Sequence, residues 1–322
     1  MTTARIMGSN PFINTWTLTK IRMRLAMRNR TFLFFSLIMP LGFLFFFVLV
    51  LAKGQAGWIA YILGAVLTMT VMGSFWGLSV QLVTFREQGI LRRFRLAPIG
   101  AGPMLASSIV SNYLMTMPTV LIEILVCRFA FHMISWGNLW AVFLLVTFGS
   151  AAFSSFGLIV ASVTNTMQET QVINQLIWTA FLFLSGATIP LAIFPAWIQR
   201  LSLFLPATYL ATGLEAATTN LATAGEILTD VVALTVGVLV AFEISRQLFR
   251  WEPEAKVSPR AKLWVLAAMV PFLIFGIYEN AAGTRLERIR RDYRTLQKFE
   301  SHQSAPTDNS ATRSRARSNL KS

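Results

Sequence analysis

Charge and metal-binding side chains are scarce in this chain of 322 residues. Only 13% are Asp, Glu, Lys or Arg, against roughly 25% in a soluble globular protein. A single cysteine excludes a disulfide framework. With two histidines, His132 and His302, it leaves too few ligands for a Cys/His metal site. No G-x-x-x-x-G-K-[ST] segment occurs, so the chain has no phosphate-cradling loop of its own, and neither H-E-x-x-H nor G-x-S-x-G appears. No internal repeat is visible, which argues against a fused double transporter. Apolar residues, by contrast, make up 55% of the chain, and the mean hydropathy is +0.59. A formal charge of +14 would suit a nucleic-acid binder on a polar chain. On a chain this apolar the basic residues mark cytoplasmic loops, and no nucleic-acid partner is expected.

A spanning helix needs about 20 mostly apolar residues. Uncharged runs of 22, 32, 27, 36 and 30 residues occupy Thr31–Ala52, Gly54–Phe85, Leu96–Ile122, Met133–Gln168 and Thr170–Gln199. A sixth span, Ala224–Glu243, carries Glu226 and Asp230 at one end, where both acids can sit at the interface. The first run is too long and too aromatic for a cleavable signal, and no small-residue cleavage site follows it. Fifteen Lys/Arg lie in residues 1–30, in the loop from Arg86 to Arg95 and between Arg246 and Lys262. Only three (Lys53, Arg128 and Arg200) lie in the intervening segments. That asymmetry places the N-terminus in the cytoplasm.

The fold expected is therefore all-α and integral to the membrane. Residues 1–30 form a basic lead, 31–250 a six-helix transmembrane bundle, 251–300 a C-terminal extension and 301–322 a disordered, Ser/Arg-rich tail. In the extension, the uncharged run Leu263–Tyr278 has 16 residues with Pro271 in its middle. As a helix it would be about 24 Å long, shorter than a hydrocarbon core of roughly 30 Å. A crossing would also carry the ten Lys/Arg of residues 279–322 outward. An interfacial or re-entrant segment that keeps the tail cytoplasmic is expected, with Leu286, Ile289, Tyr293 and Leu296 forming one stripe of a basic helix. Against this, Ala261–Asn280 would be long enough if Lys262 and Glu279 snorkel at its ends.

Two segments stand out. In Phe85–Pro98, Ile90, Leu91 and Phe94 share one helical face, while Arg92, Arg93 and Arg95 lie off it. Gly89 and Pro98 punctuate the ends. Such a helix docks into a partner's groove or lies on anionic lipid. In the second segment Pro190 should break the fifth span, and Pro195 should start a short helix with Trp197, Leu201 and Phe204 on one side. Pro206 should then stop that helix, giving either a re-entrant helix or a loop resting on lipid. Glu123, near the outer end of the third span, is either a possible intramembrane site or half of an interfacial pair with Arg128.

The first segment resembles the Arg-Glu-x-Gly-x-Leu-Arg-Arg…Pro motif between the second and third spans of ABC type-2 transport permeases. The second resembles that family's Ser-Gly…Pro…Pro-x-Trp-[IL]-Gln…Pro-x-x-Tyr signature. Six spans, a basic lead and the motif order also match, over roughly residues 10–250. Ile90 stands where Thr is common, Glu215 lies near a usual Arg, and residues 251–322 have no counterpart in short family members.

The resemblance implies the permease subunit of an ABC-type exporter in the plasma membrane (the bacterial inner membrane). Such a subunit is not an enzyme and binds no cofactor or metal. Two copies, identical or different, would sit beneath two ATP-binding subunits that hold ATP-Mg. Arg86, Glu87, Gly89, Ile90, Leu91, Arg92, Arg93, Phe94 and Pro98 would form the cytoplasmic coupling helix. Within it, Ile90, Leu91 and Phe94 would plug into the ATPase, and Arg92 and Arg93 would meet its acidic rim. Ser185, Gly186, Pro190, Pro195, Trp197, Gln199, Pro206 and Tyr209 would belong to the outer gate. Residues 10–30 would form an interfacial lead helix, with Phe12, Trp16, Met23 and Met27 on one stripe. Family members export drugs, antibiotics, glycan chains and lipids. Few charges in the spans favour a drug-, antibiotic- or lipid-like amphiphile over a polyanion. A membrane-embedded enzyme would need clustered acids or histidines near one face. A secondary transporter would need intramembrane charge or ion-binding half-helices. The sequence supplies little of either.

Overall fold

Backbone in hydrocarbon must satisfy its own hydrogen bonds, which favours helices, and every regular element of the described residues is helical. The computed structural model describes residues 10–28, 30–52, 56–91, 100–250 and 259–304. The order is α1 (Pro11–Arg28), α2 (Arg30–Phe47, continued by a π-turn, Val48–Ala52), α3 (Ala56–Glu87), α4 (Ala101–Phe129), α5 (Leu139–Val163) and α6 (Met167–Leu184). A short 3-10 turn, Leu191–Ile193, leads to α7 (Ala196–Ser202), α8 (Pro206–Thr219), α9 (Ala224–Leu248), α10 (Pro259–Ala282) and α11 (Thr284–Ser304).

The core is built around α3, whose Leu67, Val71, Met72 and Phe75 are buried with Leu145 and Phe153 of α5, Leu210 of α8 and Leu234 of α9. Small residues let α3 and α5 approach. A side chain at Gly157 would collide with the Phe75 backbone, and Ser150, Ser154 and Ser155 on α5 are buried as well. Close small-residue contacts are how helices gain packing where lipid offers no hydrophobic drive.

Among the described residues α3, α4, α5 and α9 are long and apolar enough to cross a bilayer, and a fifth crossing follows if α10 and α11 count as one bent span. The segment Ser36–Ala52 is a shorter apolar helix. The expected run Met133–Gln168 narrows to Leu139–Val163, because an uncharged run need not be helical. Asn138 caps the start by accepting from the Ala141 amide at 3.1 Å, and Thr166 caps α6 by accepting from the Glu169 amide at 3.1 Å.

The bundle has two ends. One holds Arg86, Thr164 and Arg250, whose guanidinium donates to Thr164 O at 2.7 Å. The other holds Gln199 and the start of α9. Two expectations fail at the second end. Pro206 starts α8 at its first turn instead of only stopping α7, since its missing N–H is one that a first helical turn leaves unpaired anyway. The tail, moreover, does not stay at the Arg86 end. Helix α10 has 24 residues, about 36 Å at 1.5 Å per residue, and continues through Pro271. It runs beside α9, with Phe272 pressed on Gly237 and ringed by Phe156 and Tyr209, and Asn280 reaches Arg200 O at 3.3 Å near the Gln199 end. Three of the ten basic residues that argued against a crossing are paired here: Arg285, Arg288 and Arg291 meet Asp230, Glu279, Glu226 and Asp292. Helix α11 reaches Ser304, four residues into the expected disordered tail. Residues 305–322 lie outside the described residues.

Candidate functional site

At the Arg86 end the last turn of α3 is fastened inward. Arg86 is 2% exposed. It donates to Ala161 O at 2.7 Å and Thr164 O at 2.6 Å, the carbonyls that close α5. Helix C-termini present unpaired carbonyls and partial negative charge, so a cation is favoured there. Glu87 accepts from the Met167 amide, the first of α6, at 2.8 Å. Together the Arg-Glu pair braces the α5–α6 turn. Gly89 then reverses the chain at φ +67. Leu91 is buried among Leu82, Val83, Met104, Leu105, Leu158 and Ala161 of its own chain, and Ile90 is half-buried. Arg86, expected within the coupling helix, and Leu91, expected to plug into the ATPase, are both buried against their own chain. Arg92, Arg93, Phe94 and Pro98 lie outside the described residues.

At the Gln199 end the second motif forms a compact knot. Ser185 ends α6, and its hydroxyl accepts from the Ala187 amide at 3.2 Å. Gly186 takes φ +99. Pro190 precedes the 3-10 turn and Pro195 caps α7. The Gln199 amide donates to Phe194 O at 2.8 Å and Ala192 O at 3.2 Å, closing the loop onto α7. Tyr209, fully buried on α8, donates to Leu203 O at 2.9 Å. Trp197, 67% exposed, points away from the bundle.

Sequence reasoning missed what surrounds this knot. Helix α8 is buried almost throughout and brings Glu215 to Tyr61 of α3, with which it shares a hydrogen bond. Asp230, 0% exposed, receives Arg285 and Arg288 (the latter at 3.1 Å), and Arg285 also reaches Glu279 at 3.2 Å and lies 4.4 Å from the centre of the Tyr209 ring. The spacing of Arg285, Arg288 and Arg291 against Glu226 and Asp230 was the available signal. Burial pushes the Asp292 carboxyl above its ordinary value, and the hydrogen bond from Arg291 offsets only part of that rise.

A third feature is a groove of about 710 Å³ between α2, α3, α4 and Trp178 of α6. Met39, Phe43, Met69 and Trp76 give it apolar walls; Ser74, Asn112 and Thr116 add neutral polar groups, and among the described residues no charged side chain lines it. Thr70 on its wall donates at 2.6 Å to Glu123, which is fully buried behind it. The interfacial pair with Arg128 is not formed. Arg128 instead donates to the carbonyls of Met133 and Ile134 and lies over the Trp136 ring.

The sequence profile of the ABC-2 type transporter family matches residues 13–218. The chain belongs to the ABC-2 type transporter family. It is also similar, at 23% identity over 201 residues covering 59% of this chain and 80% of the relative, to a Bacillus subtilis (strain 168) protein that is by name a transport permease, YvfS. This ABC-2 protein is a multi-pass membrane protein and a transport permease component. The matched region ends on α8, so α9, α10 and α11 lie beyond it.

Proposed function

We propose that this permease is the transmembrane half of an exporter powered by a separate ATP-binding subunit, with its N-terminus and Arg86 end in the cytoplasm of a bacterial inner membrane. Six of its helices would correspond to the family's spans: α2 through α6 and α9. A second permease copy, identical or different, would complete the pathway. The cargo is an amphiphile resembling a drug, an antibiotic or a lipid. The carrying observation is the 710 Å³ groove, which combines aromatic and sulfur-containing walls with a few neutral hydrogen-bonding groups and, among the described residues, no charge. Ligand pockets of roughly 300–1,000 Å³ with that lining suit apolar compounds with a few polar groups. A polyanion would find nothing there to offset its desolvation.

The Arg86 end supports the same orientation. A rigid link from α3 through Arg86 and Glu87 to the α5–α6 turn would carry a push on residues 88–98 into two helices at once. The test is co-purification of the chain with its candidate ATPase, followed by hydrolysis assays with panels of amphiphiles and of polyanions. Amphiphiles should change the hydrolysis rate, and Trp178→Ala should shift their half-effective concentration without loss of assembly. A response to polyanions alone, or no assembly with any ATP-binding subunit, would overturn the proposal.

A further inference from the structure

The C-terminal hairpin turns by 71° between α10 and α11, at Gly283 with φ +70, a left-handed conformation that glycine adopts without strain. Helix α11 then lies across the knot of the second motif. Arg290 donates to the side-chain oxygen Oε1 of Gln199 at 3.0 and 3.3 Å, and so holds α7 through the residue that closes its loop. Arg288 reaches Asp230 on α9. Tyr293 meets Trp58 edge-to-face at 6.2 Å, at the start of α3. One helix thus ties together three elements that must separate if residues 185–205 are to move.

The two seams of the hairpin differ in kind. Helix α10 is held by apolar close packing, with Phe272 fully buried against Gly237, Phe156 and Tyr209. The seam under α11 is mixed. It holds a void of about 30 Å³, room for one water, lined by Tyr61, Thr212, Glu215, Arg288 and Asp292 together with apolar Leu191, Ala216, Ile289 and Leu296. Glu215 Oε1 is buried there without a hydrogen-bond partner among the described residues. Parting such a seam exposes some apolar surface but also hydrates charged and polar groups on both sides, whereas parting the α10 seam would expose hydrocarbon alone.

We propose that α11 is a resident lid, hinged at Gly283, which holds the segment 185–205 closed through Arg288 on Asp230 and Arg290 on Gln199. The inference rests on the transport function proposed above and on the outer-gate role that the family resemblance implies for this segment. It is tested in two ways on the full chain, with Cys127 replaced by Ser. First, Ala216→Cys places a thiol on α8 under the lid, and its maleimide labelling is timed in detergent. The pair Arg290→Ala/Tyr293→Ala should speed labelling about tenfold, the effect of losing one charge-assisted hydrogen bond from a local opening equilibrium. Arg290→Ala alone serves if the pair does not fold. Second, Gln199→Cys/Arg290→Cys joined by a short bismaleimide should lower ATP-dependent transport at least tenfold while ATPase assembly persists. Unchanged labelling in the alanine variants, or full transport by the cross-linked protein, overturns the lid. Faster labelling together with no transport by any form, the unsubstituted chain included, overturns the transport proposal instead and leaves the lid standing.

Discussion

Replacing Arg86 with alanine separates an internal brace from a partner contact. The side chain supplies two charge-assisted hydrogen bonds, at 2.7 and 2.6 Å, to Ala161 O and Thr164 O. Each such bond is worth about 1.5–3 kcal/mol. Thr164 O keeps a second donor in Arg250 at 2.7 Å, so its loss is the smaller of the two. Ala161 O loses the guanidinium outright, at a buried helix end that favours positive charge. A destabilisation of about 2–4 kcal/mol follows. Arg86→Lys should recover only part of it, because an ammonium is a point donor and cannot bridge two carbonyls in a fixed fork. Chemical unfolding in detergent, followed by helix content, measures both variants beside co-purification with the ATPase. If Arg86→Ala unfolds within about 0.5 kcal/mol of the unsubstituted chain, the range of a plain surface change, and yet loses the ATPase, the brace is refuted and Arg86 belongs to the partner interface.

Three further outcomes follow from the same packing. Leu91→Ala should destabilise the isolated chain by about 2–5 kcal/mol, as a buried leucine does, and unfolding without any partner present detects it. Asp230→Ala strands Arg288, leaves Arg285 with Glu279 alone, and should cost about 3–5 kcal/mol. Adding Arg288→Met, which removes the stranded cation while Arg285 keeps Glu279, should recover part of that stability in the same assay, and failure to do so would show that the unpaired guanidinium is not the source of the loss. Gly157→Leu should abolish the monodisperse folded species on size exclusion, because α3 occupies the space its side chain needs.

Long uncharged runs made α3, α4, α5 and α9 legible, since in lipid an apolar run of that length has few alternatives to a helix. Their ends were less so. The limits of α5 are set by Asn138 and Thr164, neutral residues invisible to a search for charges. Helix α8 was hidden because its 14 residues are too few for a spanning run and are interleaved with threonines, although it is buried in space. Its Thr208, Thr212 and Thr218 hydroxyls donate to carbonyls of neighbouring backbone, so burial leaves them satisfied. The course of α10 and α11 was hard to read for a related reason. A count of Lys and Arg treats each as a free charge, whereas Arg285 and Arg288 are neutralised by Asp230 and Glu279, one of them 55 residues away along the chain. In the first motif the residue types were readable but their direction was not. Arg86 and Leu91 share a segment with residues suited to a partner, and only the positions of Ala161, Thr164 and Met104 turn them inward.

Reconstitution tests the central claim most directly. The chain and its ATP-binding subunit are placed in proteoliposomes, and movement of a fluorescent amphiphile is followed on addition of ATP-Mg or of an imposed proton gradient. The account predicts movement that requires both proteins and hydrolysable ATP, and none from the gradient alone. Movement by this chain without the ATP-binding subunit, driven by the proton gradient and lost in Glu123→Gln, would contradict it.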